Sequence, residues 1–479
     1  MCLATLLWII FACTRATNVG CKITTQGSAE TVLLTGTILT SEGALHDSHI
    51  LIQAGKIACV GKRCIPEAKT RKATFVHCTN SVISPGFINL HEHIDSSTIN
   101  PLLDHGVKVN HRHDWRMGAR GNERRETDIN GSAIDAVKWG ELRHIFSGTT
   151  SIVGGAMASG LTRNLDYVAG LEAGLHNPSS TWAVFPLDDA NGVLRSRDCD
   201  YGPNATTSET AGRIYRYIAH VGEGVDAEAA NEFQCLSSET YDVTPAPAGG
   251  GLSYDIIAPN IALVHALGLT EADFNLVAKR GAHVVWSPRS NVFLYGKTLN
   301  VTYLLEAGIN VALGTDWLPS GSATMAREAV CALSVTKKSY ERAIDSKTMW
   351  EMMTINAARA ASFEEHIGSL VIGKLADIVI FSTSPSLSYY DPFARAIYAP
   401  EENVELVMRG GKVLVAGAGL EGLATGACES VAFGEVMKTI CVEEELGASY
   451  VEFEKKLGGV YPAILSGVPP DEPSCEPTR

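Results

Sequence analysis

Residues 81–93 read SVISPGFINLHEH, an apolar and β-branched run that ends in His91-Glu92-His93. On a strand, residues i and i+2 point to the same face, so the two imidazoles can reach one cation. A His-x-His triplet is weak by itself. The chain has fourteen histidines and a second such triplet, His111-Arg112-His113. The first triplet gains its weight from its place at a strand end and from the partners spaced along the rest of the chain.

His220 closes RIYRYIAH, and Glu223 comes three residues later in HVGEG. His265 lies in IALVHALG, and Asp316 ends NVALGTD. Each stands at the tail of a short apolar run, which reads as a buried parallel strand. Helical stretches such as LTEADFNLVAKRG and VTYLLEAG fall between them. Strands and helices that alternate, with polar chemistry at strand C-termini, predict an α/β fold. The form expected is a (β/α)8 TIM-like barrel with its active site on the C-terminal rim.

The barrel is expected over residues 86–368. Residues 22–85 and 369–425 hold short alternating strands, as in TVLLTGTILT and VELVMRGGKVLVAG, and predict one small composite β-sandwich. Within LDDANGVLRSRDCDYGPNATTSET no fourth barrel strand can be identified. Residues 426–479 form a C-terminal extension to which no role is assigned, and VAFGEVMKTICVEEELGASYVEFEKKLGGVY reads as one or two helices.

Five stretches in order resemble the amidohydrolase superfamily of metal-dependent hydrolases: PGFINLHEH, HVGE, LVHALGLTEADFNLVAKRGAHVVWSPRSN, LGTDW and MTINAARAASFEEHIGSLVIGKLADIVIF. The resemblance runs from about Thr31 to Gly417, and it points to the deaminase-like aminohydrolase branch. It implies that His91, His93, His220 and Asp316 bind a metal, and that Glu223, His265 and Asp316 are catalytic. Many relatives hold two metals through a carboxylated lysine on the fourth strand. No lysine lies between Lys138 and Lys279, so one divalent ion is expected. Imidazole and carboxylate donors suit Zn2+ first and Fe2+ second. Such an ion makes hydroxide available near neutral pH, and Glu223 would carry a proton to the leaving nitrogen.

The activity so implied is hydrolysis of a non-peptide carbon–nitrogen bond, with deamination of an N-heterocyclic small molecule favoured. One alternative is ring opening of a cyclic amide, as in imidazolone hydrolases, which share the residue set. An alternative of another class is a non-catalytic secreted binding protein on a hydrolase scaffold. For substrate contacts, Arg112, Trp115 and Arg116 in NHRHDWRMGARG offer charge and stacking from the loop after the first strand. The competing reading of that stretch, His111 and His113 included, is an ordered loop held by salt bridges. Arg289 in SPRSN and Trp317 beside Asp316 are further candidates, with packing or a surface ion pair as the equal alternative. His77, His105, His144, His176 and His366 are read as satisfied polar groups.

A net charge of −14 argues against nucleic acid or an anionic membrane as partner, and leaves a small-molecule substrate. The apolar stretch Leu3–Ala12 is too short to span a bilayer. It fits the core of a signal segment over residues 1–21, although no basic residue precedes it. Export to a periplasmic or extracellular space is expected, with Cys21 in NVGC as a candidate lipid attachment point. A cytoplasmic location is the alternative. None of the twelve cysteines is among the proposed ligands. Cys59 and Cys64, Cys199 and Cys235, and Cys428 and Cys441 lie close enough in sequence to suit disulfides in an oxidising compartment. Their pairing does not follow from sequence, and a homo-oligomer is left open.

Overall fold

Strand formation in the N-terminal part follows from alternating β-branched and apolar positions between Gly-containing turns. In the computed structural model, residues 20–125, 133–172, 174–247, 249–340, 342–383 and 391–479 are described. The signal segment expected over residues 1–21 lies almost wholly outside them. Strands Ser28–Thr40, Gly43–Gln53, Lys56–Gly61 and Ala73–Pro85 join Ile378–Ser382, Val404–Arg409 and Lys412–Ala416 in one mixed sheet. The seam between the two flanks of the chain is the antiparallel pairing of Ile378–Ser382 with Ser81–Pro85. This is one continuous ten-stranded sheet, where a sandwich reading expects two.

The long strand Ala73–Pro85 leads, after Gly86, into Phe87–Asn89, the first strand of a barrel-like ring. Phe87–Asn89, Thr149–Ile152 and Arg163–Asn164 form a parallel three-stranded sheet. Thr181–Ala183, Tyr217–Val221, Ile261–His265, His283–Trp286 and Val311–Leu313 form a parallel five-stranded one. Backbone bonds bridge the two sheets at both edges. Ser180 N–H donates to Leu165 O at 2.8 Å, and Asp316 N–H donates to His91 O at 2.8 Å. The second bond brings the first and last strand ends together, which is where the site lies.

Alternate strand residues divide between two apolar clusters. Ile218, Val264, Val285 and Ala312 enter one, and Ala219, Leu263, Val284 and Leu313 enter the other. Such burial on both faces explains why these strands read as continuous apolar runs.

The fourth strand, Thr181–Ala183, precedes the polar stretch in which no strand could be found. The C-terminal extension departs from the all-helical expectation. Glu429–Phe433 and Val436–Ile440 form a β-hairpin that adds to the mixed sheet through Lys412–Ala416. Helix begins only afterwards, at Glu443–Leu446 and Tyr450–Leu457. The turn Gly434–Glu435, with Gly434 at φ 59°, closes the hairpin.

All ten cysteines among the described residues are paired: Cys21–Cys78, Cys59–Cys64, Cys199–Cys235, Cys331–Cys475 and Cys428–Cys441. Cys21, the candidate lipid attachment point, is here bonded to Cys78. No described helix is long and apolar enough to cross a membrane.

Candidate active site

The proposed ligands sit at or just past the ends of the strands that carry them. His91 and His93 come after Phe87–Asn89, His220 lies within Tyr217–Val221, and His265 ends Ile261–His265. Asp316 comes three residues after Val311–Leu313. Ligand atoms of His91, His93 and His220 lie within 4.8 Å of one another. The same holds for His91, His265 and Asp316, and for His220, Glu223 and His265. The structure therefore gathers all six residues at one point. His265 and Asp316 adopt φ of 64° and 61°, the left-handed region that non-glycine residues seldom occupy. Strain of this kind persists where the surroundings hold a side chain in a required direction.

The outward-facing nitrogens are set by what the other ring nitrogens touch. His220 Nδ1 lies 3.2 Å from Ala183 O and so carries the hydrogen, leaving the Nε2 lone pair for the cluster. His265 Nδ1 lies 3.0 Å from Asn291 Oδ1, and His91 Nδ1 lies 2.7 Å from Ser287 Oγ. His91 Nε2 is buried without a hydrogen-bond partner, 3.2 Å from Asp316 Oδ1. Burial lowers the proton affinity of His91 against the pull of Asp316. Burial and then the neighbouring imidazoles hold His220 well below the usual range. Burial raises Asp316, but the surrounding imidazoles, His91 foremost, outweigh it and keep the carboxylate ionised. Four imidazoles and an ionised carboxylate gathered around a buried nitrogen that has no hydrogen-bond partner form a donor set that fits one divalent cation.

Glu223 Oε1 accepts a 2.6 Å bond from Tyr295 Oη, while its Oε2 lies 3.7 Å from His265 Nε2. Behind His91 a second set of groups is locked together. Glu92 Oε2 accepts from Asn89 Nδ2 at 3.0 Å and from Thr315 Oγ1, and it pairs with His144 Nε2 at 3.3 Å. Trp182 packs its ring against His91, His93 and His220, at centroid distances of 5.4, 5.6 and 4.9 Å.

A cavity of about 490 Å³ opens from the cluster, lined among others by His93, Trp115, Arg116, Phe185, Glu223 and Trp317. Trp115 stacks on Trp317 with centroids 4.9 Å apart, and Arg116 lies over the Phe185 ring at 4.3 Å. Trp115, Arg116 and Trp317, candidates from the sequence, thus line the cavity beside the cluster. Trp317 Nε1 is also buried with no partner among the described residues.

Two sequence candidates are not so placed. Arg112 is fully buried, bonded to Val184 O at 2.8 Å and paired with Asp189 and with Glu232 at 3.2 Å. His113 joins Asp189 at 2.9 Å and His111 joins Glu232 at 3.1 Å, so the salt-bridged reading of this stretch holds. Arg289 is likewise buried, with Nε donating to Ser322 Oγ at 2.6 Å and its guanidinium pairing with Glu472 at 3.2 Å. Its contacts tie it to the C-terminal segment, and it is not among the residues that line the cavity.

Ser287, Asn291 and Tyr295 were not among the sequence candidates. They recur every four residues from SPRSN onward, a helical spacing that was there to be found.

Comparison with known proteins agrees with this geometry. Residues 180–414 match the model of the amidohydrolase family. A 5'-deoxyadenosine deaminase of Methanothermobacter thermautotrophicus is 26% identical over 431 residues, 82% of this chain and 95% of that protein. A 5-methylthioadenosine/S-adenosylhomocysteine deaminase of Syntrophobacter fumaroxidans is 34% identical over 149 residues, covering 30% of this chain and 34% of the relative. In fold, the chain is similar to an adenosine deaminase from Xanthomonas campestris solved with bound zinc. That likeness has a TM-score of 0.56 at 19% identity, over 80% of this chain and 92% of that one. The chain belongs to the amidohydrolase superfamily, with a TIM-barrel-like α/β fold, and is a hydrolytic enzyme.

Proposed function

We propose that this protein deaminates an amino-substituted N-heterocycle, with one divalent metal ion held by His91, His93, His220 and Asp316, zinc being the first choice. The observation that carries the reading is the convergence of that donor set with Glu223 and His265 on a cavity walled by Trp115, Phe185 and Trp317. Relatives named as deaminases of adenosine-like compounds support it, as do family structures solved with zinc.

When bound, a divalent cation supplies Lewis acidity that makes water acidic enough to attack at neutral pH. The rest falls to side chains. Trp115, Trp317 and Phe185 hold a planar ring by stacking. Glu223 Oε2 takes a proton from the attacking water as its oxygen bonds to the amino-bearing carbon and delivers that proton to the ring nitrogen; the remaining hydroxyl proton is then carried to the amino group as the C–N bond breaks, giving ammonia and a ring carbonyl. His265, fixed by donating from Nδ1 to Asn291 Oδ1, orients the attacking water by accepting one of its hydrogens at Nε2. Disulfides on every described cysteine support a site of action in an oxidising compartment, outside the cytoplasm.

The test is ammonia release from a panel of aminopurines and aminopyrimidines, with cyclic amides assayed alongside for ring opening. Glu223→Gln should keep its metal and lose about 10²-fold or more in kcat, the scale of general acid–base catalysis. Native turnover in that variant would remove Glu223 from the mechanism. Turnover confined to the cyclic amides would replace deamination with ring opening.

A further inference from the structure

Three groups of the site lean on one short helix. Pro288–Tyr295 is buried along its whole length, with Ser287 as its N-cap. Ser287, Asn291 and Tyr295 fall four residues apart and so share a face. Ser287 meets His91 Nδ1, Asn291 meets His265 Nδ1, and Tyr295 meets Glu223 Oε1. The first two contacts orient imidazoles. The third reaches the group assigned to move the proton.

We propose that Tyr295 is a positioning residue for proton transfer by Glu223, an inference that rests on the role given to Glu223 above. The Tyr295 phenol is fully buried. Its oxygen accepts from Trp115 Nε1–H at 3.1 Å, and an indole nitrogen can only donate. The phenol hydrogen is therefore committed to Glu223 Oε1, 2.6 Å away. One carboxylate oxygen is held by this bond. The other, Oε2, is left on the side of His265 as the oxygen that takes and returns the proton. Without Tyr295 the carboxylate is free to turn, and neither oxygen is kept in place. Burial and the nearby carboxylate hold the phenol protonated well above its ordinary range, so it stays a donor wherever activity is measured. Trp115 also stacks on Trp317 at the cavity wall, so the surface that receives the ring is joined to Glu223 through two hydrogen bonds.

The experiment compares Tyr295→Phe, Trp115→Phe, the double variant and Glu223→Gln in the metal-loaded protein, using the best substrate of the ammonia-release panel. Tyr295→Phe should lower kcat about 10- to 100-fold, the effect of losing one hydrogen bond to a charged group, with KM and metal content unchanged. Trp115→Phe should cost less. Loss of the Trp115 stacking surface should appear in KM, but in kcat the double variant should be no slower than Tyr295→Phe, because Trp115 reaches Glu223 only through the Tyr295 oxygen. A tyrosine that only filled space would instead give losses that add and follow the melting temperature. Unchanged kcat in Tyr295→Phe beside an inactive Glu223→Gln would overturn the inference and leave the proposed function standing. Native turnover in Glu223→Gln would overturn both. If Tyr295→Phe does not fold, Trp115→Phe carries the test, and an unchanged kcat there overturns it.

Discussion

Replacing Arg112 with Met separates a structural guanidinium from a substrate contact. In the folded protein Arg112 stands between the carboxylates of Asp189 and Glu232, all three side chains being buried. Methionine has similar reach but leaves two buried carboxylates without their cation. Breaking a buried ion pair from one side costs about 3–5 kcal/mol, against about 1 kcal/mol or less for an exposed pair. Two imidazoles remain beside these acids, His111 at 3.1 Å from Glu232 and His113 at 2.9 Å from Asp189. Burial, and then the charge of Arg112, hold His113 below its usual range despite Asp189. Without Arg112 that imidazole protonates more readily. The variant's loss relative to the native protein should therefore narrow as pH falls below neutrality, because its folded form then binds a proton that the native folded form binds less tightly. Denaturant midpoints of native and variant protein at pH 8 and pH 6 measure both effects. A loss under about 1 kcal/mol at pH 8, with a raised KM, would refute the buried-network assignment and restore Arg112 as a substrate contact.

Two further expectations concern stability. Burial pushes Glu401 up from 4.5 to about 8, against the opposing Leu465 N–H and Lys438. Across that window the folded state holds a proton that the unfolded state has released, so stability falls as pH rises. The cost approaches about 1.4 kcal/mol per unit, and Glu401→Gln should flatten the slope; an equal slope in the variant would place the titration elsewhere. The Cys331–Cys475 bond closes a loop of 144 residues, whereas Cys59–Cys64 closes one of 5. Removing the first pair by alanine substitution should cost about 2–5 kcal/mol and removing the second clearly less, since a longer closed loop takes more entropy from the unfolded chain. Equal melting shifts would contradict that dependence on loop length.

The clustering of His91, His93, His220, Glu223, His265 and Asp316 was legible because each ends a recognisable apolar strand or comes within a few residues of its end, and the barrel-like ring brings such ends together. The strand Thr181–Ala183 was not, since three residues carry no periodicity. Arg112 and Arg289 misled for another reason. An arginine is presumed exposed until its acid is known, and Asp189 lies 77 positions from Arg112 while Glu472 is reached only through the folded C-terminal segment. The hairpin at Glu429–Ile440 was missed although its Gly-x turn is local. Its two runs of five are too short to distinguish helix from strand by spacing. Tyr295 lay in view at helical spacing from Ser287, but its meaning depends on Glu223, 72 positions earlier.

The most direct test of the mononuclear site is the metal content of purified protein, native against His220→Ala, by elemental mass spectrometry. One divalent ion per native chain is expected, and its loss in the variant. Two ions per chain, or none even after metal is supplied, would contradict the site as built.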